Sequence, residues 1–293
     1  MKKTVAILGA TGMLGSALYA ELKDKYGLVL TVRSKDKIKL LEEHFGGTEK
    51  CKIVEFDVAL FYKDFEVKKG YQSPYFKNFL SGLGEVDYVI NAIGVTIPFS
   101  LENPALTFFI NGALPHVLAN MFREKLIHVT TDCAYNGIEG FPYDENSPKS
   151  PVDIYGLSKS LGEPLNCLTL RMSIIGRELE GHTGLLDWFL AQKGKTVKGF
   201  ANHFWNGLTA KQFAKTCAAI IANPEAFPKT GLYHIFSTPV SKYEMLQALQ
   251  KKFNIDCKIV PDYSGKLNRT LATVHELNSA LHIPSFEEMV QTM

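Results

Sequence analysis

Long hydrophobic runs are missing from this sequence of 293 residues. No apolar run approaches the roughly 18 residues of a membrane span. The opening segment, MKKTVAILGATG, sets two lysines before an apolar stretch, as a signal peptide does. That stretch breaks at Gly9 and Gly12, and no small-residue cleavage site follows, so a buried first strand is the better reading. Charge of one sign is also missing: 32 Lys and Arg balance 30 Asp and Glu, for a net charge of +2. That balance is too mild to imply a nucleic-acid surface or a polybasic membrane surface, and neither is expected. Ser34 to Lys39 and Lys68-Lys69 are lysine-rich but lie among acids, and read as solvated faces. Cysteine is sparse. Cys51, Cys133, Cys167, Cys217 and Cys257 are nowhere closer than 34 residues, which leaves no CxxC and no metal-knuckle spacing. An odd, scattered set fits a reducing compartment, so a cytoplasmic protein is expected. The eight histidines show no metal spacing either, and no metal is expected.

What is present is the balance of a soluble globular protein, 46% hydrophobic and 21% charged. At roughly 150 residues per domain, the length suits one large domain or two unequal ones. Short apolar strands are expected at Thr4 to Leu8, Leu28 to Val32, Lys52 to Phe56, Val86 to Ile90, Leu126 to Thr130 and Leu168 to Met172. Helical spacing lies between them at Met13 to Lys25, Lys35 to Phe45 and Pro104 to Arg123. This alternation predicts an α/β fold, a doubly wound parallel sheet covered on both faces. Asn136 to Asp153 is a long loop rich in Gly, Pro, Asn and Ser, and such loops are usually functional or mobile. Further on, helices are expected at Leu185 to Gln192, Thr209 to Ala222, Val274 to Leu281 and Ser285 to Met293, and a strand at Gly231 to Phe236. Ser241 to Phe253 reads as a helix with Ser241 as N-cap and Glu244 at the capping-box position.

VAILGATGMLGS sets Gly9, Gly12 and Gly15 at the first strand–helix junction. Gly9 permits a tight turn, Gly12 lets backbone approach a pyrophosphate, and Gly15 lets the helix pack on the strand. The helix N-terminus then offers unpaired N–H groups to phosphates. The second strand ends in Val32-Arg33-Ser34-Lys35. A carboxylate there would repel a 2′-phosphate, whereas Arg33 would bind one through charged hydrogen bonds, so NADP(H) is preferred over NAD(H). Asp36 is the competing feature.

YGLSK, from Tyr155 to Lys159, puts a phenol and an ammonium one helical turn apart on the same face. A free tyrosine, with a pKa near 10, suits neutral-pH proton transfer poorly. A neighbouring ammonium together with an oxidised nicotinamide would lower it. In His128-Val-Thr130-Thr131-Asp132-Cys133, strand alternation sends the two threonine hydroxyls to opposite faces, so only one can serve the site.

The G-x-x-G-x-x-G spacing, Asp57 in VEFDV, NAIG at Asn91 to Gly94, and YGLSK together resemble the extended short-chain dehydrogenase/reductases. HVTTDCAYNG, DENSPKSPVDIYGLSKSLGE and LTLRMSIIGRE are similar to the dTDP-4-dehydrorhamnose reductase branch, which carries a Thr-Asp pair, P-x-x-x-Y-G-x-[ST]-K and L-R-x-S. The resemblance covers most of the chain, is strong from Thr130 to Gly176 and weakens after Leu179. It implies that Thr131, Tyr155 and Lys159 are catalytic. It implies cofactor contacts from Gly9, Thr11, Gly12, Met13, Leu14, Gly15, Arg33, Asp57, Val58, Asn91, Ala92, Ile93, Gly94, Asn111, Tyr155 and Lys159, with Asn111 supporting Lys159 through water. Substrate contacts would come from Thr131, Asp132, Cys133 and Arg171; Arg171 could instead pair structurally at the sheet edge. The branch has an aromatic after its Thr-Asp pair where this chain has Cys133, and Tyr135 is the candidate to replace it. Cys133 itself reads as a small lining residue rather than a nucleophile. Trp188 and Trp205 belong to the core or to the substrate cleft.

The resemblance implies an NADPH-dependent reductase of the C4 ketone of a nucleotide-activated 4-keto-6-deoxy sugar. Residues 1–173, returning at 205–236, would form the dinucleotide-binding domain, and 174–204 with 237–293 the substrate-binding domain. The expected partners are the nucleotide sugar and, as in the wider family, a second copy in a homodimer, with no nucleic acid and no membrane. Two rivals stay open: a sugar-nucleotide epimerase that retains NAD, and a non-catalytic NADP-binding regulatory subunit.

Overall fold

A computed structural model describes residues 2–68 and 73–293. The side chains of the Lys68-Lys69 pair lie outside the described residues. Six strands in chain order, β1 (Thr4–Leu8), β2 (Gly27–Val32), β3 (Lys52–Glu55), β4 (Tyr88–Asn91), β5 (Leu126–Thr131) and β6 (Leu168–Met172), fall where the apolar runs predicted them. A further strand, Gly231–His234, joins them, and the order across the sheet is Gly231–His234, β6, β5, β4, β1, β2, β3. Every pairing is parallel. The fold is therefore a Rossmann-type doubly wound sheet.

Alternate side chains feed two cores. Val5 and Ile7 pack with Leu18, Phe213 and Ile221, from the helices Met13–Leu22 and Ala210–Ala222, on one face. Ala6 and Leu8 pack with Phe56, Phe61, Phe76, Phe79 and Leu114 on the other. Because both faces are covered, the strands read as continuous apolar runs rather than alternating ones. The chain winds outward from β1 through β2 to β3, then crosses to β4 on β1's other side. Such a switch point leaves a crevice at the carboxyl ends of β1 and β4.

Some elements escape the sequence patterns. The helices Val58–Lys68, Pro74–Leu83 and Ile97–Glu102 lie in stretches where no helix was expected. Two are aromatic-rich, and aromatics at helical spacing also suit strands. Phe61 and Phe76 stack at 4.5 Å across them. The expected helix from Pro104 to Arg123 is interrupted by a π-helical turn at Phe108–Ala113. The helical stretch Pro104–Lys125 is, against expectation, long and apolar enough to span a membrane, but more than half of it is buried within the protein. Its Phe109, Ile110, Leu114 and Leu118 belong to the second core.

After β6 the chain forms short strands. Thr196–Phe200 pairs with Lys258–Asp262, and His203–Trp205 lies between Val240–Ser241 and Leu267–Asn268. The helix Lys242–Phe253 has the expected capping box of Ser241 and Glu244.

Candidate active site

The crevice at the switch point is a cavity of about 430 Å³. Its walls come from the segments after β1, β4 and β6 and from the end of β5. Gly12, Met13 and Leu14 form one part, Asn91 to Thr96 a second, Thr130 to Cys133 with Tyr155 and Lys159 a third, and Met172 to Ile174 with Glu178 a fourth.

Gly9 takes φ +80, which favours glycine, and its N–H is held by Thr31 Oγ1 at 2.9 Å. A Cβ on Gly15 would lie 2.1 Å from Gly9's carbonyl oxygen, so the helix can rest on the turn only with glycine there. Gly12 is the N-cap of Met13–Leu22, and no side chain caps that helix. Its first N–H groups are left to a ligand, and a Cβ at Gly12 would meet only Gly9's oxygen, at 3.5 Å. These features suit a dinucleotide pyrophosphate. Thr11 lies half-buried in the same turn.

Arg33 is exposed at the end of β2. Asp57 caps the next helix, accepting from Ala59 N–H at 2.8 Å, while Val58 beneath it is buried. Asn91 accepts from Ile93 N–H at 3.1 Å and so shapes the loop through Ala92, Ile93 and Gly94. Asn111 lies in the π-helical turn. Its Oδ1 accepts from Val95 N–H at 3.0 Å, and its Nδ2 donates to Val95 O at 3.0 Å and to Ser158 Oγ at 3.1 Å. It thereby ties the loop after β4 to the helix Ile154–Leu161, which carries Tyr155 and Lys159. Asn111 Oδ1 and Lys159 Nζ both border Gly94, at 3.5 and 3.8 Å from where a Cβ would stand.

Asp153 caps the Tyr155 helix by accepting from Gly156 N–H at 2.7 Å. Thr131 caps the turn that follows β5, its Oγ1 accepting from Cys133 N–H at 3.2 Å. Burial pushes the Tyr155 phenol well above its ordinary value, and a hydrogen bond with Thr131 opposes that rise. Lys159 is 7% exposed and donates to Val129 O at 2.8 Å. Burial pulls it down to about 8, against the field of Glu163. Thr131 lowers the phenol against its rise from burial, whereas the lowering expected from Lys159 calls for an oxidised nicotinamide beside it. The ammonium itself is held by the backbone of β5.

Asp132 is buried, and burial raises its pKa while Arg269, Lys242, Thr131 and Ser173 hold it back. Burial pushes the Cys133 thiol to about 12, which agrees with an inert lining residue. Arg171 requires a correction. It is 2% exposed and does not line the cavity. Its Nε and Nη2 donate to Glu163 at 3.0 and 2.6 Å, and Nη1 meets Tyr135 and His234 at 2.5 and 2.8 Å. With its donors engaged, Arg171 is a structural ion pair and not a substrate contact. Tyr135 is also fully buried, donating to Asp144 O at 2.9 Å, so it does not replace the missing aromatic. Trp205 is in the core against Phe286, and Trp188 is 41% exposed.

Sequence reasoning missed Ser173, Glu178, Lys242 and Arg269. Ser173 closes the L-R-x-S segment and could have been found there. Glu178 shapes the next loop through Thr183 and Gly184 N–H at 2.6 and 3.2 Å. Lys242 and Arg269 carry no local signal.

A family model described as the RmlD substrate binding domain matches residues 84–288. The chain belongs to this family, within the extended short-chain dehydrogenase/reductases. Spore coat polysaccharide biosynthesis protein SpsK of Bacillus subtilis is 26% identical over 203 residues, 64% of this chain and 70% of that protein. Among solved structures, dTDP-4-dehydrorhamnose reductase of Bacillus anthracis, in complex with NADP, is similar with a TM-score of 0.65 at 18% identity, covering 100% of this chain and 98% of the other. UDP-glucose 4-epimerase of Thermus thermophilus, in complex with NAD, reaches 0.66 at 15% identity, covering 98% and 96%. Both likenesses confirm the fold. Among the described residues of this RmlD-family chain, no cluster of His, Cys, Asp and Glu could hold a metal.

Proposed function

We propose that this protein reduces the C4 ketone of a nucleotide-activated 4-keto-6-deoxy sugar with NADPH, in deoxysugar or polysaccharide biosynthesis. The observation that carries the reading is that Thr131, Tyr155 and Lys159 line one cavity with the uncapped helix end at Gly12. When bound, the reduced nicotinamide supplies the hydride. Ketone reduction also needs a proton at the carbonyl oxygen, and Tyr155 holds one, kept in place at neutral pH by burial. Thr131 orients the ketone oxygen against that phenol. Lys159 places a positive charge on the same helix face, where it favours the phenolate left by proton transfer. Arg33 takes the 2′-phosphate, and the Asp57 carboxylate receives the adenosine end.

In this reading residues 1–173 and 205–236 hold the cofactor, and 174–204 with 237–293 hold the sugar nucleotide. Exposed Leu101, Leu157 and Leu161, on or near the Tyr155 helix, support a homodimer through that face. The scattered free cysteines support a cytoplasmic location. The resemblance to an epimerase that binds NAD keeps one rival specific.

Cofactor content and affinity test the reading. The purified protein should carry no tightly held NAD and should bind NADPH at least tenfold more tightly than NADH. NAD retained through gel filtration, with interconversion of nucleotide sugars and no net NADPH loss, would establish the epimerase instead.

A further inference from the structure

Lys37 stands on the turn that follows β2, one short step beyond Arg33. Its ammonium meets both oxygens of the Glu180 carboxylate, Oε1 at 2.5 Å and Oε2 at 2.6 Å, across 143 positions of chain. Among the described residues Lys37 pairs with Glu180 and not with the adjacent Asp36. Lys37 holds the Glu180 carboxyl below its usual value, and Arg33 adds to that pull through space.

The place of this pair in the fold gives it a role. Gly9 N–H donates to Thr31 Oγ1 and Ala10 N–H to Thr31 O, both at 2.9 Å, so the glycine turn is tied to the end of β2. Arg33 and Lys37 follow that end directly, where the 2′-phosphate is proposed to sit. Glu180 arrives from the opposite side. A Cβ on Gly176 would stand 3.1 Å from Met13 Cγ, and one on Gly184 3.3 Å from Met13 Cε. Both ends of the segment 176–184 thus rest on Met13, the first residue of the helix behind the glycine turn. Arg177 Nε meets Asp187 at 2.7 Å, and Asp187 Oδ2 accepts from Glu178 N–H at 2.8 Å, which anchors the segment at its base. Gly181 and His182 take φ +93 and +51, and the chain turns back just beyond Glu180. The segment therefore reaches from the cavity wall at Glu178 to the cations after β2.

A phosphate monoester carries about −1.5 to −2 charges at neutral pH, more than a carboxylate, and needs the same cations. While Glu180 holds Lys37, a 2′-phosphate at Arg33 meets a like charge and finds one of its two cations taken. A 2′-hydroxyl is neutral and meets no such penalty.

We infer that Glu180 is a built-in competitor for the 2′-phosphate: its carboxylate occupies Lys37 and weakens NADP(H) without weakening NAD(H). It is thereby a specificity-determining residue that touches no reacting atom. The inference rests on reading Arg33 as the residue that takes the 2′-phosphate.

Calorimetric titration of the full chain tests it with adenosine 2′,5′-bisphosphate and adenosine 5′-monophosphate, which differ in the 2′-phosphate alone. The parent, Glu180→Gln, Lys37→Gln and the double variant would be compared at low ionic strength. The paired side chains are 33% and 54% exposed, so the pair is weak and its loss spares the fold. Glu180→Gln should tighten the bisphosphate by about three- to fivefold and change the monophosphate by less than about twofold. Salt should shrink the gain. Lys37→Gln should weaken the bisphosphate and cut the gain from Glu180→Gln to less than about twofold.

A parent that prefers the bisphosphate, with binding unchanged or weaker in Glu180→Gln, would overturn the inference alone. Equal tightening of both nucleotides would also overturn it. A parent without that preference that gains it in Glu180→Gln would overturn the NADPH preference and leave the inference standing. No preference in either would overturn both.

Discussion

Lys159 Nζ donates to the main-chain oxygen of Val129 at 2.8 Å. The ammonium is thereby tied to the strand that ends in Thr131, so helix and strand hold each other's active-site groups. The tie has an energetic consequence. Burial takes Lys159 from 10.5 down to about 8. Between those two values the unfolded chain binds more protons than the folded one, so stability rises with pH across that window. Below it, the buried charge costs the fold its full penalty. Lys159→Met should therefore stabilise the protein at pH 7 by ~2–4 kcal/mol. The advantage should vanish near pH 10.5. Urea unfolding at several pH values measures both, and a variant less stable than the parent at pH 7 contradicts the account.

Tyr155 is proposed as the proton donor. Tyr155→Phe keeps the ring and removes only the proton. It should lower kcat by roughly 10²–10⁴-fold and leave the cofactor Kd within about twofold. Thr131→Val should also reduce kcat, by ~10–100-fold. Steady-state kinetics with a parallel fluorescence titration of NADPH separates binding from chemistry.

Arg33 carries the cofactor choice. Arg33→Asp removes a guanidinium and places a carboxylate where the 2′-phosphate is proposed to sit. NADPH should bind ~10–100-fold more weakly, and NADH should bind as well as before or better. An equal loss for both cofactors would mean that Arg33 does not read the 2′-phosphate.

Glu163 sits in a buried network with Arg171, Lys149 and Thr130. Its pairing with Arg171 at 2.6 Å, against the cost of burial, holds its pKa below the usual value of 4.5. The stability this contributes is present above that value and is lost as pH falls below it. Glu163→Leu strands a buried guanidinium and should cost ~3–5 kcal/mol at pH 7, much of which Arg171→Met in the same chain should restore. Denaturant unfolding of the single and double variants checks the sign and the recovery.

The sheet was legible in the sequence because a strand buried on both faces reads as an apolar run, as β1, β2 and β4 do; β3, at the sheet edge with Lys52 and Glu55 exposed, shows only a short apolar centre. The glycine turn and the Tyr155 helix were legible because their chemistry is local: a few residues at fixed spacing set Gly9's backbone and the phenol–ammonium face. The alternation argument also held, for Thr130 Oγ1 turns to Glu163 at 3.0 Å while Thr131 Oγ1 reaches Cys133 N–H. Partnership across the chain was not legible. Arg171 could pair or bind substrate until Glu163, Tyr135 and His234 were seen around it. Tyr135 could replace an aromatic until its ring was seen buried. Lys242 and Arg269 reach Asp132 from more than 100 residues away, through strands of two or three residues that carry no periodicity.

NADPH oxidation, followed at the nicotinamide absorbance, tests the central claim most directly. The substrates would be 4-keto-6-deoxy sugars linked to dTDP, UDP and GDP, with Tyr155→Phe as control. The account predicts turnover with at least one nucleotide and its loss in the variant. NADPH binding without reduction of any of these sugars would contradict it.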